Sequence, residues 1–453
     1  MHDLPALHAA VAAGPVLPVF VLDERLLRGR WPSANRRWFM VESLRALDGE
    51  LRARGARLHI RRGSPEQVIP ELARECGASA VFASTDYSPF ARLRDGRLER
   101  ALEADGRYFA GLPGVLVQEP REVVSASGRP FSVFGAFRRR WEALERRPVL
   151  GALEHIPCVE GIDPDGVRDG EEGTPSARGI IEPGEQAARR RLEEWTGGGL
   201  ERYGATRDFL AAAGTSRLSQ DLHWGLISAV EVLDRCEERG PGGGKFAAEL
   251  AWREFNHYVL WHHPRVVGEP FQRQYAGVAW RTDAAALEAW KAGMTGFPLV
   301  DAGMRELLAT GYMHNRARMV CASFLAKQLL LDWRAGEAHF MEYLVDGDVA
   351  NNNGGWQWSA GTGADAQPYF RVFNPALQGR RFDPGGEYVR RWAPELARVP
   401  DRYLFEPGLM PREVQRAAGC EIGKDYPAPI VEHGRARERA IAAFAAARRA
   451  AGS

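Results

Sequence analysis

The chain of 453 residues carries 60 basic and 59 acidic side chains, which gives a formal net charge of +1 at pH 7. This length exceeds one ordinary hydrophobic core and predicts two domains. The balanced charge gives no argument for a bulk attraction to polyanions and leaves a local basic face open. No apolar run could span a bilayer and the first residues do not resemble a signal peptide, so we expect a cytoplasmic protein without membrane contact. The five cysteines lack paired spacing, so we expect neither a metal site nor a disulfide framework.

The first 146 residues alternate between helical and strand patterns, which is typical of a parallel, doubly wound α/β sheet with helices on both faces. Such a sheet normally begins with a strand, but this sequence begins with a helical pattern, so the first strand is expected to be missing. Helices are predicted at 4–13, 33–54, 65–75 and 91–104, and strands at 16–22, 57–61, 80–83 and 115–117.

Residues 147–186 are rich in proline, glycine and acidic side chains and predict an extended linker. Beyond this segment the strand signals almost vanish, and the periodicity predicts a large all-α domain over 187–453. Its helices are predicted at 187–194, 203–213, 222–239, 247–262, 284–292, 300–310, 314–333, 338–344 and 431–447.

The most unusual stretch is 346–360, which combines two aspartates, three consecutive asparagines, a glycine pair and two tryptophans. It follows a helical pattern and predicts a Gly/Asn turn. Carboxamides donate and accept hydrogen bonds, carboxylates accept them, and indole rings stack, so the stretch suits the edge and face of a flat heterocycle. A structural turn beside two core tryptophans is an equal alternative on this stretch alone.

Three other polar clusters lie near predicted helices. Hydroxyls at 214–219 precede a helix and favour either a phosphate cradle or an N-cap. Glu249 and Trp252 share a helix face, which suits either a base edge or an ion-paired surface with a core tryptophan. Arg318 lies on a face that continues into an apolar helix, so it needs an anionic partner, for which Asp346 is the candidate.

Taken in order, these motifs resemble the DNA photolyase/cryptochrome family over essentially the whole chain, and most closely its class I cyclobutane pyrimidine dimer photolyases. The motifs are 249–255 (Glu-Leu-Ala-Trp-Arg-Glu-Phe), 295–304, 313–319, 332–334 (Asp-Trp-Arg) and 346–358. The resemblance implies an α/β antenna-binding domain at 1–146, a linker at 147–186 and a helical FAD- and DNA-binding domain at 187–453. It also implies a light-dependent deoxyribodipyrimidine photo-lyase that acts, as a monomer, on UV-damaged DNA.

The resemblance assigns the FAD-binding residues motif by motif. Asp348 would accept from the flavin N3–H, Arg318 would pair with Asp346, and Asn352 would face N5. At Phe246 the family often has tryptophan instead. The full set is Tyr203, Thr215, Ser216, Arg217, Leu218, Ser219, Phe246, Arg253, Asn315, Arg318, Asp346, Asp348 and Asn352.

The resemblance also implies residues for the lesion, the DNA backbone and electron supply. The lesion and catalytic residues would be Glu249, Trp252, Asn315, Met319, Asn352 and Trp358; the DNA contacts Arg207, Trp252, Arg316 and Arg371; and the electron-transfer tryptophans Trp356, Trp333 and Trp280.

A second chromophore is implied by residues 86–95, which are similar to the antenna stretch of deazaflavin-binding members. Asp86 and Arg94 match that stretch, whereas Ser88 stands where a glutamate is expected. A deazaflavin is favoured over a folate, and an empty antenna pocket stays open. Family members begin with a further strand, so the true start is expected roughly a dozen residues upstream.

Two alternatives to dimer repair follow from the same family. A cryptochrome-type photoreceptor without repair activity shares the fold. A (6-4) photolyase would be expected to carry histidine in place of Asn315 and Met319. A nicotinamide-dependent flavin oxidoreductase is not supported, because no Gly-x-Gly-x-x-Gly fingerprint follows a strand.

Overall fold

The computed structural model describes residues 1–237 and 240–452, and it confirms an α/β N-terminal part followed by a helical part. The first part begins with a helix, as expected. Its elements are α1 Pro5–Ala13, β1 Val19–Leu22, α2 Glu24–Leu27, α3 Ala34–Arg52, β2 His59–Arg62, α4 Pro65–Glu75, β3 Ala80–Ser84, α5 Pro89–Ala104, β4 Tyr108–Leu112 and α6 Phe134–Glu142.

The strands form two separate parallel pairs instead of one continuous sheet. β1 pairs with β2 from Val19 opposite His59, and β3 pairs with β4 from Ala80 opposite Tyr108. Within the described residues no hydrogen-bonded ladder joins the two pairs. The α/β class is therefore confirmed, while the single sheet that the pattern predicts is not found.

The strand predicted at 115–117 is wrong, and the fourth strand lies earlier, at Tyr108–Leu112. The reason is a buried carboxylate on a distant helix. Glu254 accepts hydrogen bonds from the backbone N–H groups of Val117 and Gln118, and the latter bond measures 3.1 Å. These donors are thereby committed to the helical part and are not available to a sheet ladder.

Residues 147–184, all of them described, contain no helix and run back along the α/β part, whereas the last two positions of the predicted linker already belong to the helix Glu185–Glu194. Cys158 forms a parallel bridge with Val16, and the N–H of Ile60 donates to the carbonyl of Pro164 at 3.1 Å. The segment is therefore extended, as predicted, but it packs against the strands. The domain limits themselves stay a prediction.

The second part is helical, and the described residues beyond 187 contain no strand apart from an isolated bridge between Ile422 and Tyr426. Of the described helices, none is long and apolar enough to cross a membrane. The α-helices are α7 Glu185–Glu194, α8 Leu200–Thr206, α9 Ser219–His223, α10 Ala229–Glu237, α11 Gly240–His262, α12 Ala284–Lys291, α13 Pro298–Thr310, α14 Asn315–Ser323, α15 Trp333–Tyr343, α16 Val349–Ala360, α17 Pro375–Phe382, α18 Glu387–Trp392, α19 Asp401–Leu404, α20 Arg412–Ala418 and α21 His433–Gly452. π-helical segments lie at Trp195–Gly199 and Phe324–Leu329, and 3-10 turns at Pro264–Val267, Arg273–Tyr275, Pro394–Leu396 and Pro407–Leu409.

Three predicted helices are interrupted, either because a backbone N–H bonds to a distant segment or because a residue adopts a left-handed conformation. The helix predicted at 203–213 ends at Thr206, and the N–H of Leu210 donates to Phe382 instead. The helix predicted at 222–239 breaks at Gly225, whose φ is +66°, and its last two positions lie outside the described residues. The helix predicted at 314–333 breaks at Leu330, whose φ is +53°.

The predicted turn at 346–360 is mostly a helix, α16. Asp348 is its N-cap and accepts from the N–H of Asn351 at 2.6 Å. Asn353 donates to Glu337 at 2.8 Å, so this asparagine side chain bonds to a neighbouring helix and does not compete for its own backbone. A local N-cap and a tertiary partner therefore stabilise a helix in a sequence that forms helices poorly.

Candidate functional site

A cavity of about 620 Å³ opens between α11, α14 and α16, and it collects most of the predicted site residues. Arg94, Arg316, Arg371, Trp280 and Trp333 are the predicted residues that do not line it. Those that do are Asp86, Tyr203, Arg207, Thr215, Ser216, Arg217, Leu218, Ser219, Phe246, Glu249, Trp252, Arg253, Asn315, Arg318, Met319, Asp346, Asp348, Asn352, Trp356 and Trp358.

The hydroxyl cluster at 214–219 forms a tight turn that leads into α9. Arg217 adopts a left-handed conformation with φ of +54°, and its guanidinium lies 3.7 Å from the ring centroid of Tyr312. The N–H of Leu218 donates to the Ser216 hydroxyl at 3.3 Å. Tyr312 was missed by sequence reasoning, because the cation–π contact joins two segments that are distant along the chain.

An ion pair lies at the polar end of the cavity. Arg318 Nη2 donates to Asp346 Oδ2 at 2.8 Å, which is the pair that the sequence analysis expected. Burial alone would raise the pKa of Asp346, but the charge and hydrogen bond of Arg318 bring that pKa below its usual range. Asp346 is therefore ionised at neutral pH and can accept further hydrogen bonds.

Asp348 is the second carboxylate at this end. Burial opposes its ionisation, but His257, His223 and the N–H of Asn351 lower its pKa. Burial in turn lowers the pKa of both histidines, so they are mostly uncharged at neutral pH. The hydrogen bond from the N–H of Asn351, at 2.6 Å, stabilises ionised Asp348 whether or not the histidines are charged.

Asn352 lies one turn into α16 and is oriented by the neighbouring helix. Its Nδ2 donates to the backbone carbonyl of Glu337 at 3.0 Å. The side-chain oxygen is therefore the atom through which Asn352 can accept an N–H in the cavity. Glu337 also accepts from Asn353, and burial raises the pKa of Glu337 to about 7.

The predicted lesion residues lie together around the cavity. Glu249 is paired with Arg207, so the carboxylate has a cationic partner in this state. Trp252 stacks on Phe134 with ring centroids 3.8 Å apart and an interplanar angle of 12°. One face of Trp252 is thus already covered, and Phe134 is a residue that no sequence signal indicated.

Two residues of α14 complete this side of the cavity. Asn315 is exposed, and its Nδ2 lies 3.8 Å from the sulfur of Met319. Trp358 is half-buried and faces the cavity from α16. Asn315, Met319 and Trp358 therefore come from two helices and converge on one opening.

The three tryptophans predicted to transfer electrons differ in burial. Trp356 and Trp333 are buried, and Trp280 is half-buried with its ring edge against Phe444. Trp356 contacts Trp290 at 5.9 Å and Phe340 at 4.9 Å between ring centroids. Among the described ring pairs none joins Trp333 directly to the other two, so the order of the chain stays a prediction.

The three arginines predicted to contact DNA lie in different environments. Arg207 pairs with Glu249, and Arg316 pairs with Asp208 at 2.6 Å. Arg371 is exposed, and its backbone carbonyl accepts from Lys327. The side chain of Arg371 is therefore open to solvent, whereas Arg207 and Arg316 are held in ion pairs.

The predicted antenna residues form no ion pair with each other, although the charge of Asp86 helps to raise the pKa of Arg94. Asp86 accepts from the N–H of Ser88 at 2.8 Å and lines the same cavity, whereas Arg94 pairs with its neighbour Asp95 at 2.8 Å. Ser88, which replaces the expected glutamate, caps α5 through its hydroxyl. Asp86 thus faces the large cavity.

Arg36 is a further residue that sequence reasoning did not connect with this site. It projects from α3 of the α/β part and donates to the carbonyls of Trp31 at 2.6 Å and Leu344 at 3.4 Å. Burial lowers the pKa of Arg36 to about 10, although Asp346 and Asp348 favour its charge. The α/β part therefore supplies a cation close to both carboxylates.

The cavity fits a flavin dinucleotide. Four buried polar atoms on its wall lack a hydrogen-bond partner among the described residues: Asp346 Oδ1, Arg217 Nε, His257 Nδ1 and Trp356 Nε1. Unpaired buried polar groups are rare and indicate a missing partner. Acceptors and donors are both present, as a ring with alternating N–H and C=O edges and an anionic tail requires.

Comparison with family models supports this assignment. Residues 246–446 match the FAD binding domain of DNA photolyase, and residues 1–158 match the DNA photolyase model. Deoxyribodipyrimidine photo-lyase from Streptomyces griseus is 42% identical over 443 residues, covering 97% of this chain and 95% of the relative. The Agrobacterium fabrum enzyme of the same name is 39% identical, covering 99% and 96%.

Solved structures agree. A bacterial class III photolyase from Agrobacterium tumefaciens superposes with a TM-score of 0.94 at 37% identity, covering 99% of this chain and 95% of that one. A Synechocystis cryptochrome gives 0.90 at 29% identity, covering 97% and 96%. An archaeal photolyase from Sulfolobus tokodaii, solved with two FAD molecules, gives 0.84 at 30% identity, covering 98% and 97%. Membership of class I stays a prediction. The chain belongs to the DNA photolyase/cryptochrome family.

Proposed function

We propose that this chain is a light-dependent photo-lyase that repairs cyclobutane pyrimidine dimers in DNA. The observation that carries the proposal is a single cavity that combines a flavin-type polar end, at Asp346 and Asp348, with a group of lesion-type residues, at Glu249, Trp252 and Trp358. When bound and reduced, FAD would supply a light-excitable electron donor. The residues of the chain bind it, orient it and hold the dimer next to it.

At the polar end, Arg318 keeps Asp346 ionised, so this carboxylate binds N–H donors and does not hold a proton of its own. Asp348 accepts from the ring N3–H. Asn352 presents its oxygen toward N5 because Glu337 holds its Nδ2. This oxygen would accept from a protonated N5, and because the amide is neutral it would fix no charge beside an unprotonated one.

At the lesion end, Glu249 accepts hydrogen bonds from the edge of a flipped dimer. Its present partner Arg207 is a candidate for the DNA backbone, so binding would exchange the Glu249–Arg207 pair for two contacts with the substrate. Trp252 offers its free face, since Phe134 covers the other, and Trp358 offers a second stacking surface. Asn315 and Met319 complete the wall.

Electrons for the flavin would enter through Trp356, with Trp333 and Trp280 as the relay toward the surface. The proposal is supported by two observations: Trp356 lines the cavity, and Trp280 is half-buried. Contacts of Arg207, Arg316 and Arg371 with phosphates would give affinity that falls steeply with salt.

We also propose a deazaflavin as the antenna chromophore, on the similarity of residues 86–95 and on Asp86 and Arg94. A folate and an empty pocket are the alternatives. The Sulfolobus tokodaii photolyase with two FAD molecules adds a further candidate for the second chromophore. Mass spectrometry of the chromophores released from purified holoprotein, together with the molar ratio of FAD to protein, separates all four outcomes. A monomeric state and a cytoplasmic location stay predictions.

Repair is tested with the reduced holoprotein, an oligonucleotide that contains one thymine dimer, and blue light. The expected result is restored thymine, measured by chromatography, and no restoration in the dark. Flavin-loaded, reduced protein that restores no thymine would contradict the proposal and favour the cryptochrome-type photoreceptor. An oligonucleotide with a (6-4) photoproduct serves as the specificity control and should remain unrepaired.

A further inference from the structure

Residues 361–374, called the rim loop below, connect α16 with α17 beside the cavity. Its first residues, including Gly363 and Ala364, line the cavity, and Phe370 and Arg371 near its end are exposed. No helix or strand occurs among these residues, all of which are described. Within the rim loop the N–H of Arg371 donates to the carbonyl of Pro368 at 2.9 Å, and the other described hydrogen bonds to its backbone come from outside the loop.

The first half of the rim loop is held by Gln272 and by α6. The N–H and the side-chain amide of Gln272 donate to the carbonyls of Thr362 and Gly363, each at 2.9 Å. The carboxylate of Asp365 accepts from the N–H of Phe134 at 3.1 Å. This half is consequently tied to the residue that stacks on Trp252.

The second half is held by two consecutive side chains of the π-helical segment Phe324–Leu329. Lys327 Nζ donates to the carbonyl of Arg371 at 3.0 Å, and Gln328 Nε2 donates to the carbonyl of Phe373 at 2.7 Å. Adjacent side chains of an α-helix diverge by about 100°. Here the helix is π-helical, and both side chains reach the same short stretch of the rim loop; π-helical turns are frequent at functional sites.

Burying the amine of Lys327 at this position costs desolvation free energy. Its side chain is fully buried, and none of the described residues forms an ion pair with it. Burial, with a smaller contribution from Arg371, lowers the pKa of Lys327 to about 7. A methionine would fill the same space without desolvating an amine, so stability alone does not explain a lysine here.

We propose that Lys327, together with Gln328, is a positioning residue for DNA binding, because its grip on the Arg371 carbonyl fixes the backbone from which the Arg371 guanidinium projects. The assignment of Arg371 to DNA rests on the proposed function. The grip on the rim loop does not, and it can be tested in the free protein.

The first experiment measures how fast trypsin cleaves after Arg371 in the flavin-loaded protein, with the fragments assigned by mass spectrometry. The carbonyl of the scissile bond is the group that Lys327 holds. Loss of one hydrogen bond should make Lys327→Met about fivefold more susceptible at this bond, because cleavage follows the open population. Lys424→Met, which removes an exposed lysine, should behave as the wild type.

Unchanged cleavage of Lys327→Met after Arg371, with the flavin retained, would overturn the anchoring role. If Lys327→Met loses its flavin, Gln328→Met replaces it in the same assay, because it removes the neighbouring anchor at Phe373. This assay involves no DNA, so its result stands whether or not the proposed function holds.

The second experiment is a double-mutant cycle on the affinity for a dimer-containing duplex. Lys327→Met should raise the Kd about fivefold, and it should add little to the loss that Arg371→Ala causes, since one contact is removed in both cases. The repair rate at saturating DNA should stay unchanged. Additive losses would show that Lys327 acts independently of Arg371 and would overturn the proposal. A wild type that binds no damaged DNA would contradict the proposed function instead.

Discussion

Arg318 of α14 and Asp346, which precedes α16, form an ion pair of 2.8 Å at the polar end of the cavity, across 28 positions of sequence. The second oxygen of Asp346 accepts no hydrogen bond of good geometry from the described residues, although the nearby Ser219 hydroxyl helps to lower the pKa of Asp346. The pair therefore compensates the charge of Arg318 and leaves one carboxylate oxygen of Asp346 that can accept a hydrogen bond from a ligand. This division is the physical basis of the first prediction.

Arg318→Met should abolish stable flavin binding. Removing one partner of a buried pair leaves an uncompensated charge and costs about 3 kcal/mol, here at the edge that holds the ring. The flavin-to-protein absorbance ratio after gel filtration measures the loss. Arg28→Met is the control, because its pair with Glu24 is exposed, and it should retain the flavin. Full flavin occupancy in Arg318→Met would contradict the assigned role.

Glu254→Gln should change the pH dependence of stability. Burial raises the pKa of Glu254 to about 7 from the ordinary 4.5. The folded state thus retains a proton that the unfolded state releases, and this stabilisation is fully present below pH 4.5 and lost as the pH rises through about 7. The shift corresponds to about 3 kcal/mol in the free energy of unfolding. The wild type should lose this amount as the pH rises, and the glutamine variant, which does not titrate, should not.

The measurement is the free energy of unfolding of both proteins between pH 4.5 and 8. As the pH rises across this window, the free energy of unfolding of the wild type should fall relative to that of Glu254→Gln. Glu103→Gln, on an exposed position of α5, should run parallel to the wild type. Parallel profiles for Glu254→Gln would show that this carboxyl does not titrate abnormally.

Glu249→Ala should impair repair and leave the flavin bound. Loss of a charged hydrogen-bond acceptor costs about 1.5–3 kcal/mol, so the repair rate per bound dimer should fall about ten- to a hundredfold. Thymine restoration per absorbed photon measures the effect. Glu201→Ala on α8 is the matched exposed control. Wild-type repair by Glu249→Ala would remove this residue from the lesion site.

Trp356→Phe should slow photoreduction of the flavin by about tenfold or more, while chemically reduced protein still repairs. The indole contacts both the cavity and Trp290. Transient absorption after a light pulse measures the electron supply. Trp333→Phe should slow it as well, and Trp290→Phe should not. If Trp290→Phe slows photoreduction and Trp333→Phe does not, electrons pass through the contact between Trp290 and Trp356 instead.

Much of the candidate site was predictable because spacing on a helix determines which side chains share a face. Glu249 and Trp252 line one wall, and Arg318 meets Asp346. Phe134, by contrast, reaches Trp252 from a helix more than a hundred positions earlier in the chain. Neither its neighbours nor any periodicity indicated this contact, because stacking between distant segments leaves no local pattern.

By itself the sequence determined the alternation of strands and helices, the helical second part and the residue types of the binding site, since these depend on local periodicity and on motif spacing. Only the tertiary structure decided between competing local options. Glu254 commits the N–H groups of residues 117 and 118 to the helical part, and Glu337 of a neighbouring helix accepts from the side chain of Asn353 in a segment where asparagines and glycines favour a turn. Both contacts join segments that are distant along the chain, so the partner is supplied by the fold and leaves no local pattern in the sequence.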